Sequence, residues 1–357
     1  MGNSNIYSKI IYTRSPQTEL RAWIKKYEPG KVFLATEKKV DEIWMPQFDD
    51  FFQSEGIKKV VIPAGENNKK LESVEKIWKF LSQNGADRKS LLINIGGGML
   101  TDLAGFAAST FKRGLDFLNV PTTLLSQVDA SVGGKTGINF NGLKNEVGTF
   151  KEPVAVIINT DFLKTIDREN FISGYAEMIK HGLIKSPEHL DELKIFDFKN
   201  IDYNQLQEII RHSVEVKKYF VANDFQEGGI RKALNFGHTA GHAFESLAME
   251  QNRPVLHGYA VAYGMITELF LSEIKCGFPL NEQNGLIEWL LNIYGKLEIE
   301  KFDFERLFEL MTHDKKNESG RINFTLLPKI GEIAINQNCE KELIFDALNF
   351  YKNLKPA

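Results

Sequence analysis

Cysteine is nearly missing from this chain: 357 residues carry two, Cys276 and Cys339. Two isolated thiols exclude a disulfide framework and a cysteine-built metal site, and they are what a reducing compartment allows. No apolar run approaches the ~18 residues that a membrane span needs. The opening residues, MGNSNI, hold no apolar signal core, and Ile6 stands where a myristoylation pattern needs Ser or Thr. A marked excess of either charge is missing too. With 44 Lys and Arg against 47 Asp and Glu, the net charge of −3 gives no basis for nucleic acid or an anionic membrane as a partner. Low-complexity tracts and internal repeats are also missing. The expectation left by these absences is a cytoplasmic globular protein.

What is present fits an enzyme of two domains. The length exceeds the size at which one core stops growing, and 43% apolar with 25% charged residues is ordinary globular composition. Residues 31–36 (KVFLAT), 59–62 (KVVI), 91–95 (LLINI), 117–120 and 154–158 are short, apolar and β-branched. Helix-period stretches separate several of them, such as Leu71 to Leu81 with Val74, Ile77 and Trp78 on the same face. That alternation predicts a mainly parallel sheet covered on both sides. From about Ile166 onward the pattern turns to long amphipathic stretches, with residues 321–327 (RINFTLL) as a short ribbon. The expected domains are therefore 1–165, α/β, and 166–357, helical. No Pro- or Gly-rich linker lies at the boundary, which implies tightly joined domains with a cleft.

Two glycine features stand out. Gly96-Gly97-Gly98 follows the strand LLINI and leads into a helix-like run, the context in which backbone N–H groups cradle a pyrophosphate. Thr101 takes the place of the third Rossmann glycine, so the turn alone leaves nucleotide binding open. Gly133-Gly134-Lys135-Thr136 imitates the end of a P-loop, but Asp129 stands where its first glycine belongs. Histidine is concentrated: of seven in the chain, His238, His242 and His257 fall within twenty residues. Imidazole suits zinc-like metals, and a catalytic site needs about three protein ligands plus an open position. Histidines four apart also serve as packing side chains, so the pair alone leaves metal binding open. Arg113, Lys135, Lys144, Lys180, Lys217, Arg231, Lys315 and Lys316 lie beside glycine, asparagine or histidine. Singly each reads as solvated surface; gathered together they suit a substrate carrying a phosphate and a carboxylate.

Between about residues 60 and 330 the chain carries, in order, PAGENNK, GGGMLTDLAGFAAS, FKRG, VPTTLLSQVDASVGGKTGIN, LKNEVGTF, SGYAEMIKHGLI, RKALNFGHTAGHAFE, LHGYAVAYGM and HDKKN. In these motifs and their order it resembles the 3-dehydroquinate synthase family. It implies a Rossmann-like NAD-binding α/β domain followed by an all-α metal-binding domain, a site in the cleft between them, and a homodimer. The implied reaction converts 3-deoxy-D-arabino-heptulosonate 7-phosphate to 3-dehydroquinate and phosphate, the second step towards chorismate in the shikimate pathway. NAD⁺ transiently oxidises a ring hydroxyl, phosphate is eliminated, the carbonyl is reduced again, and an intramolecular aldol closes the ring. A divalent metal, zinc or cobalt, polarises the oxygen being oxidised.

Position by position, the resemblance implies Glu177, His238 and His257 as metal ligands. It places Gly65, Glu66, Lys69, Gly97, Gly98, Asp102, Thr122, Thr123, Asp129, Lys144 and the loop Phe162, Leu163, Lys164 and Thr165 at NAD. Substrate contacts fall on Arg113, Asp129, Lys135, Asn145, Lys180, Lys217, Glu227, Arg231, Asn235, His242, Lys315 and Lys316. Lys135, Asn145, Lys180, Lys217, Glu227 and His242 are the catalytic set. His181 stands where the family commonly has tyrosine and reads as a packing residue. Asn159 stands where it often has aspartate. Two enzymatic alternatives remain, another sugar-phosphate cyclase and a metal-dependent glycerol or alcohol dehydrogenase of the same superfamily. The dense basic set and the stretches NFGHTAGH and DKKN favour the dehydroquinate branch. A binding protein on a retired enzyme fold is disfavoured because every implied ligand is present.

Overall fold

A computed structural model describes residues 8–141, 143–312 and 322–355. Its first compact unit runs to Ile166 and takes in Ile201–Val214; the second comprises Asp167–Asn200 and resumes at Glu215.

The first unit is built on strands β1 (Lys9–Tyr12), β2 (Val32–Glu37), β3 (Lys58–Ile62), β4 (Leu91–Gly96), β5 (Asp116–Pro121) and, after the two ribbon strands β6 (Lys135–Phe140) and β7 (Leu143–Phe150), β8 (Ala155–Ile158). The sheet order is β1-β8-β5-β4-β2-β3, parallel throughout. Register aligns Leu34 with Ile93 and Ile93 with Leu118 across its centre. Because side chains alternate along a strand, two cores result. Phe33, Ala35 and Leu92 pack on one face with helices Leu71–Gln83 and Gly98–Thr110, while Val32, Leu34, Leu91, Ile93 and Ile95 fill the other. The central strands read as continuous apolar runs because both faces are covered.

A single cut near residue 165 does not describe Ile201–Val214, which returns to the first unit. There Tyr203 O accepts a hydrogen bond from Thr160 Oγ1 at 3.1 Å, and the Arg211 guanidinium lies 4.3 Å from the Tyr12 ring centre. The second unit is helical, with one departure from all-α among the described residues: the antiparallel ribbon β9 (Asn323–Lys329) and β10 (Glu332–Asn338). No helix among the described residues is long and apolar enough to cross a membrane.

Three helices of this unit meet through glycine: Arg168–Lys185, His238–Glu250 and His257–Cys276. A Cβ on Gly258 would fall 1.8 Å from Ser173 O, and one on Gly264 would fall 1.9 Å from Gly237 O. Only residues without a side chain permit these crossings.

Candidate active-site residues

Glu177 sits on the helix Arg168–Lys185, while His238 and His257 each occupy the first position of their own helix. The crossings at Gly258 and Gly264 bring the three together, with one ligand atom from each lying within 4.8 Å of the others. Glu177 Oε1 is 3.4 Å from His238 Nε2 and 3.6 Å from His257 Nε2. Glu245, also nearly buried, places Oε2 3.5 Å from His257 Nδ1. Burial alone would lower the pKa of His257, but the Glu177 and Glu245 carboxylates outweigh it and push it up to about 9. The pocket thus favours positive charge. One carboxylate and two imidazoles are also a donor set that suits a zinc-like dication with an open position. The residues fit such a metal.

Lys180 and His242 border this cluster. Lys180, fully buried, is ion-paired with Glu177. The His242 ring centre lies 5.3 Å from that of His238 and 5.8 Å from that of His257. His181 is wholly buried. Lys217 and Arg231 are buried as well. Arg231 is fixed by a turn in which Asp224 accepts the backbone N–H groups of Gly228, Gly229 and Arg231 at 3.0, 2.7 and 3.1 Å. Against the effect of burial, those donors hold the Asp224 carboxyl below its ordinary range. Asn235 donates to Glu227 Oε1 at 3.0 Å, and Glu227 has a left-handed backbone with φ +62°. Lys315 and Lys316 lie outside the described residues.

In the first unit, the expected cofactor residues form a second network. Lys69 is buried; its Nζ donates to Asp102 Oδ2 at 2.6 Å and to Asn145 Oδ1. Burial works against its charge, but Asp102 and Glu66 outweigh it and hold its pKa above the ordinary lysine value. Asn139, which was not expected from sequence, donates to Glu66 Oε1 at 2.9 Å and accepts the Asn145 N–H at 2.9 Å. Asn145 was expected among substrate contacts; its side chain is engaged with the Lys69 group.

The glycine turn ends β4 and opens the helix Gly98–Thr110. A Cβ on Gly97 would come within 3.2 Å of Thr123 Cγ2, and one on Gly98 within 3.1 Å of Ala130 Cβ, so the backbone stays bare for close approach. Gly97 N–H donates to Glu37 Oε1 at 2.8 Å. Burial raises the pKa of Glu37, against the Gly97 N–H and Lys39, which lower it. Glu37 also escaped the sequence reading; its signal was a lone carboxylate ending the buried strand β2. Thr122 N–H donates to Gly96 O at 2.9 Å, Thr123 caps the following turn through Ser126, and Asp129 lies in the π-helical turn Ser126–Ala130.

The other expected contacts lie in loops and on the β6–β7 ribbon. Phe162 and Leu163 are buried, Phe162 against Trp44 and Phe48, so backbone atoms and the exposed Lys164 and Thr165 are what that loop offers a ligand. Lys135 and Lys144 are exposed on the β6–β7 ribbon. Arg113 lines a surface concavity with Glu28, Asp87, Arg88, Lys89 and Lys112, none of which was expected at a site.

Comparison with known proteins covers most of the chain. Residues 59–173 match the family model described as 3-dehydroquinate synthase N-terminal, and residues 174–317 match 3-dehydroquinate synthase C-terminal. A 3-dehydroquinate synthase of Parabacteroides distasonis is 49% identical over 346 residues, 96% of this chain and 98% of that protein. Among solved structures, 2-epi-5-epi-valiolone synthase of Streptomyces hygroscopicus, with NAD⁺ and Zn²⁺ bound, aligns with a TM-score of 0.86 at 22% identity over 98% of both chains. A 2-deoxy-scyllo-inosose synthase complexed with carbaglucose-6-phosphate, NAD⁺ and Co²⁺ aligns with a TM-score of 0.83 at 23% identity over 96% of both. At these identities the two structures show a shared fold.

Proposed function

The chain belongs to the 3-dehydroquinate synthase family, and from that premise we propose that it converts 3-deoxy-D-arabino-heptulosonate 7-phosphate to 3-dehydroquinate and phosphate. It is a phosphate-eliminating lyase that uses NAD and a divalent metal, zinc or cobalt, and works as a homodimer. The observation that carries this reading is the trio Glu177, His238 and His257, one ligand atom from each within 4.8 Å of the others, in a chain 49% identical to a 3-dehydroquinate synthase. The unit that holds the trio also buries Lys180, Lys217 and Arg231, cationic groups of the kind that bind phosphate and carboxylate.

Glu177, His238 and His257 hold the metal, which when bound supplies Lewis acidity toward the hydroxyl undergoing oxidation. Gly97 and Gly98 offer bare backbone to the pyrophosphate of NAD, which supplies a temporary acceptor for hydride. Lys69, Asp102 and Glu66 form the polar wall of the nucleotide site. His242, one turn beyond His238, stands beside the metal ligands to hold or move a proton at the substrate. Lys180, Lys217 and Arg231 orient the substrate anions, and their charge stabilises phosphate as it leaves. Phe140, Leu143, Val147 and Phe150, exposed on the β6–β7 ribbon, are apolar surface that a homodimer would cover.

Incubating the purified protein with the heptulosonate phosphate tests the proposal. One phosphate should appear per dehydroquinate formed. Oxidation of glycerol with no phosphate release would favour the dehydrogenase branch instead.

A further inference from the structure

Both histidines assigned to the metal stand at the first position of a helix, and neither helix caps itself. The residues before them, Gly237 and Leu256, make no side-chain cap. Helix starts leave N–H groups that need acceptors, and they carry partial positive charge. Aiming two such starts at a cation is electrostatically unfavourable without nearby negative groups.

The missing acceptors come from neighbouring helices. Glu268, fully buried in the helix Met265 belongs to, His257–Cys276, accepts the Gly237 N–H on Oε2 at 2.6 Å and the Ala240 N–H on Oε1 at 3.1 Å. Its two oxygens thus bracket the turn that carries His238. Ser173, one turn before Glu177, accepts the Gly258 N–H on Oγ at 3.0 Å and thereby ties the start of the His257 helix to the helix of the carboxylate ligand. Gly237 itself has a left-handed backbone, φ +77°, and a Cβ there would lie 2.5 Å from Met265 Cγ. The turn has no room to find another cap.

We infer that Glu268 and Ser173 are positioning residues for the metal site: caps supplied in trans that fix His238 and His257 relative to Glu177. Glu268 also offsets the positive helix end beneath His238. The inference rests on the proposed assignment of those three residues to a metal.

Cobalt(II) binding to the full chain tests it. The readouts are the dissociation constant and the visible d–d absorption spectrum of the cobalt-loaded protein. Glu268→Gln keeps the side chain's shape but can accept only one of the two N–H groups. Its cobalt affinity should fall about ten- to a hundredfold, with a changed spectrum, as for other residues that orient metal ligands. Leu348→Ala, a cavity in the buried face of helix Lys341–Asn353, should lower stability yet keep the wild-type spectrum and affinity. A folded Glu268→Gln protein with wild-type affinity and spectrum would overturn the inference. If Glu268→Gln does not fold, Ser173→Ala decides by the same two readouts, with loss supporting the inference and no change overturning it. Failure of the underlying assignment looks different: the unaltered protein and Glu177→Gln would then bind cobalt equally, or neither would bind it.

Discussion

Glu245 Oε2 lies 3.5 Å from His257 Nδ1, while the other ring nitrogen, Nε2, faces Glu177 Oε1 at 3.6 Å. An imidazole flanked by two carboxylates is oriented from both sides, and it holds a proton tightly when no metal competes.

That arrangement sets a pH dependence. The pKa of His257 is raised to about 9 in the fold from an ordinary 6.5. A raised pKa contributes stability that is fully present below pH 6.5 and is lost as pH climbs through 9. The metal-free protein should therefore lose about 1–3 kcal/mol of stability across that window. Glu245→Gln should flatten the loss. Chemical denaturation of the metal-free protein at several pH values measures it, and an equal slope in both proteins would refute the coupling.

The Glu177–Lys180 pair makes a prediction about stability. Glu177→Gln leaves the buried Lys180 without its carboxylate partner and should cost about 3–5 kcal/mol. Adding Lys180→Met should recover most of that loss, because no buried charge is then left behind. Urea unfolding of the single and double variants compares the two. A double variant no more stable than Glu177→Gln would show that the pair is not the cause.

Packing of the helices is as sensitive as their charges. Gly258→Ala drives a methyl group to 1.8 Å from Ser173 O, on the helix that carries Glu177. Destabilisation should reach or exceed the roughly 1–3 kcal/mol typical of overpacked cores. Metal content after purification should drop with it. Thermal unfolding together with metal analysis gives both numbers, and a full metal load would speak against the crossing as the scaffold.

Lys135 separates the proposed substrate contacts from the cofactor contacts. It is exposed at the start of β6, so Lys135→Ala should fold normally. Loss of a charge-assisted contact to a substrate anion should lower kcat/KM about ten- to a hundredfold, or about 1.5–3 kcal/mol, with NAD affinity unchanged. Equal weakening of NAD binding, measured by titration calorimetry, would move Lys135 to the cofactor.

Legibility in the sequence followed burial. Strands β2, β4, β5 and β8 are apolar on both faces and could be read as such. The four-residue edge strand β1 is too short to show a period, and β6 and β7 are filled with Gly, Lys and Asn because β7 is largely exposed. The return of Ile201–Val214 to the first unit leaves no local trace, since tertiary contacts such as Arg211 on Tyr12 decide it. Histidine spacing pointed to His238, His242 and His257 without choosing among them; the choice of His238 and His257, and Glu177 itself, came only through family resemblance. Glu37, Glu245 and Glu268 escaped because a single glutamate on a helix or strand end reads as solvated charge. Their signal was context: Glu268 interrupts Met265-Ile266 and Leu269 on a helix buried along most of its length.

Under the proposed reaction, hydride would leave the substrate and return within one binding event, so that NAD is a catalyst and not a reagent. A carbonyl beside the C–H makes loss of phosphate feasible, and that carbonyl must then be removed again. The direct measurement is turnover of the heptulosonate phosphate with trace NAD⁺, following phosphate, dehydroquinate and NADH absorbance together. Phosphate and dehydroquinate should form in equal amounts, far in excess of the NAD⁺ supplied, with no steady rise in NADH. Accumulation of NADH one for one with an oxidised alcohol such as glycerol, and no phosphate from the heptulosonate phosphate, would contradict it.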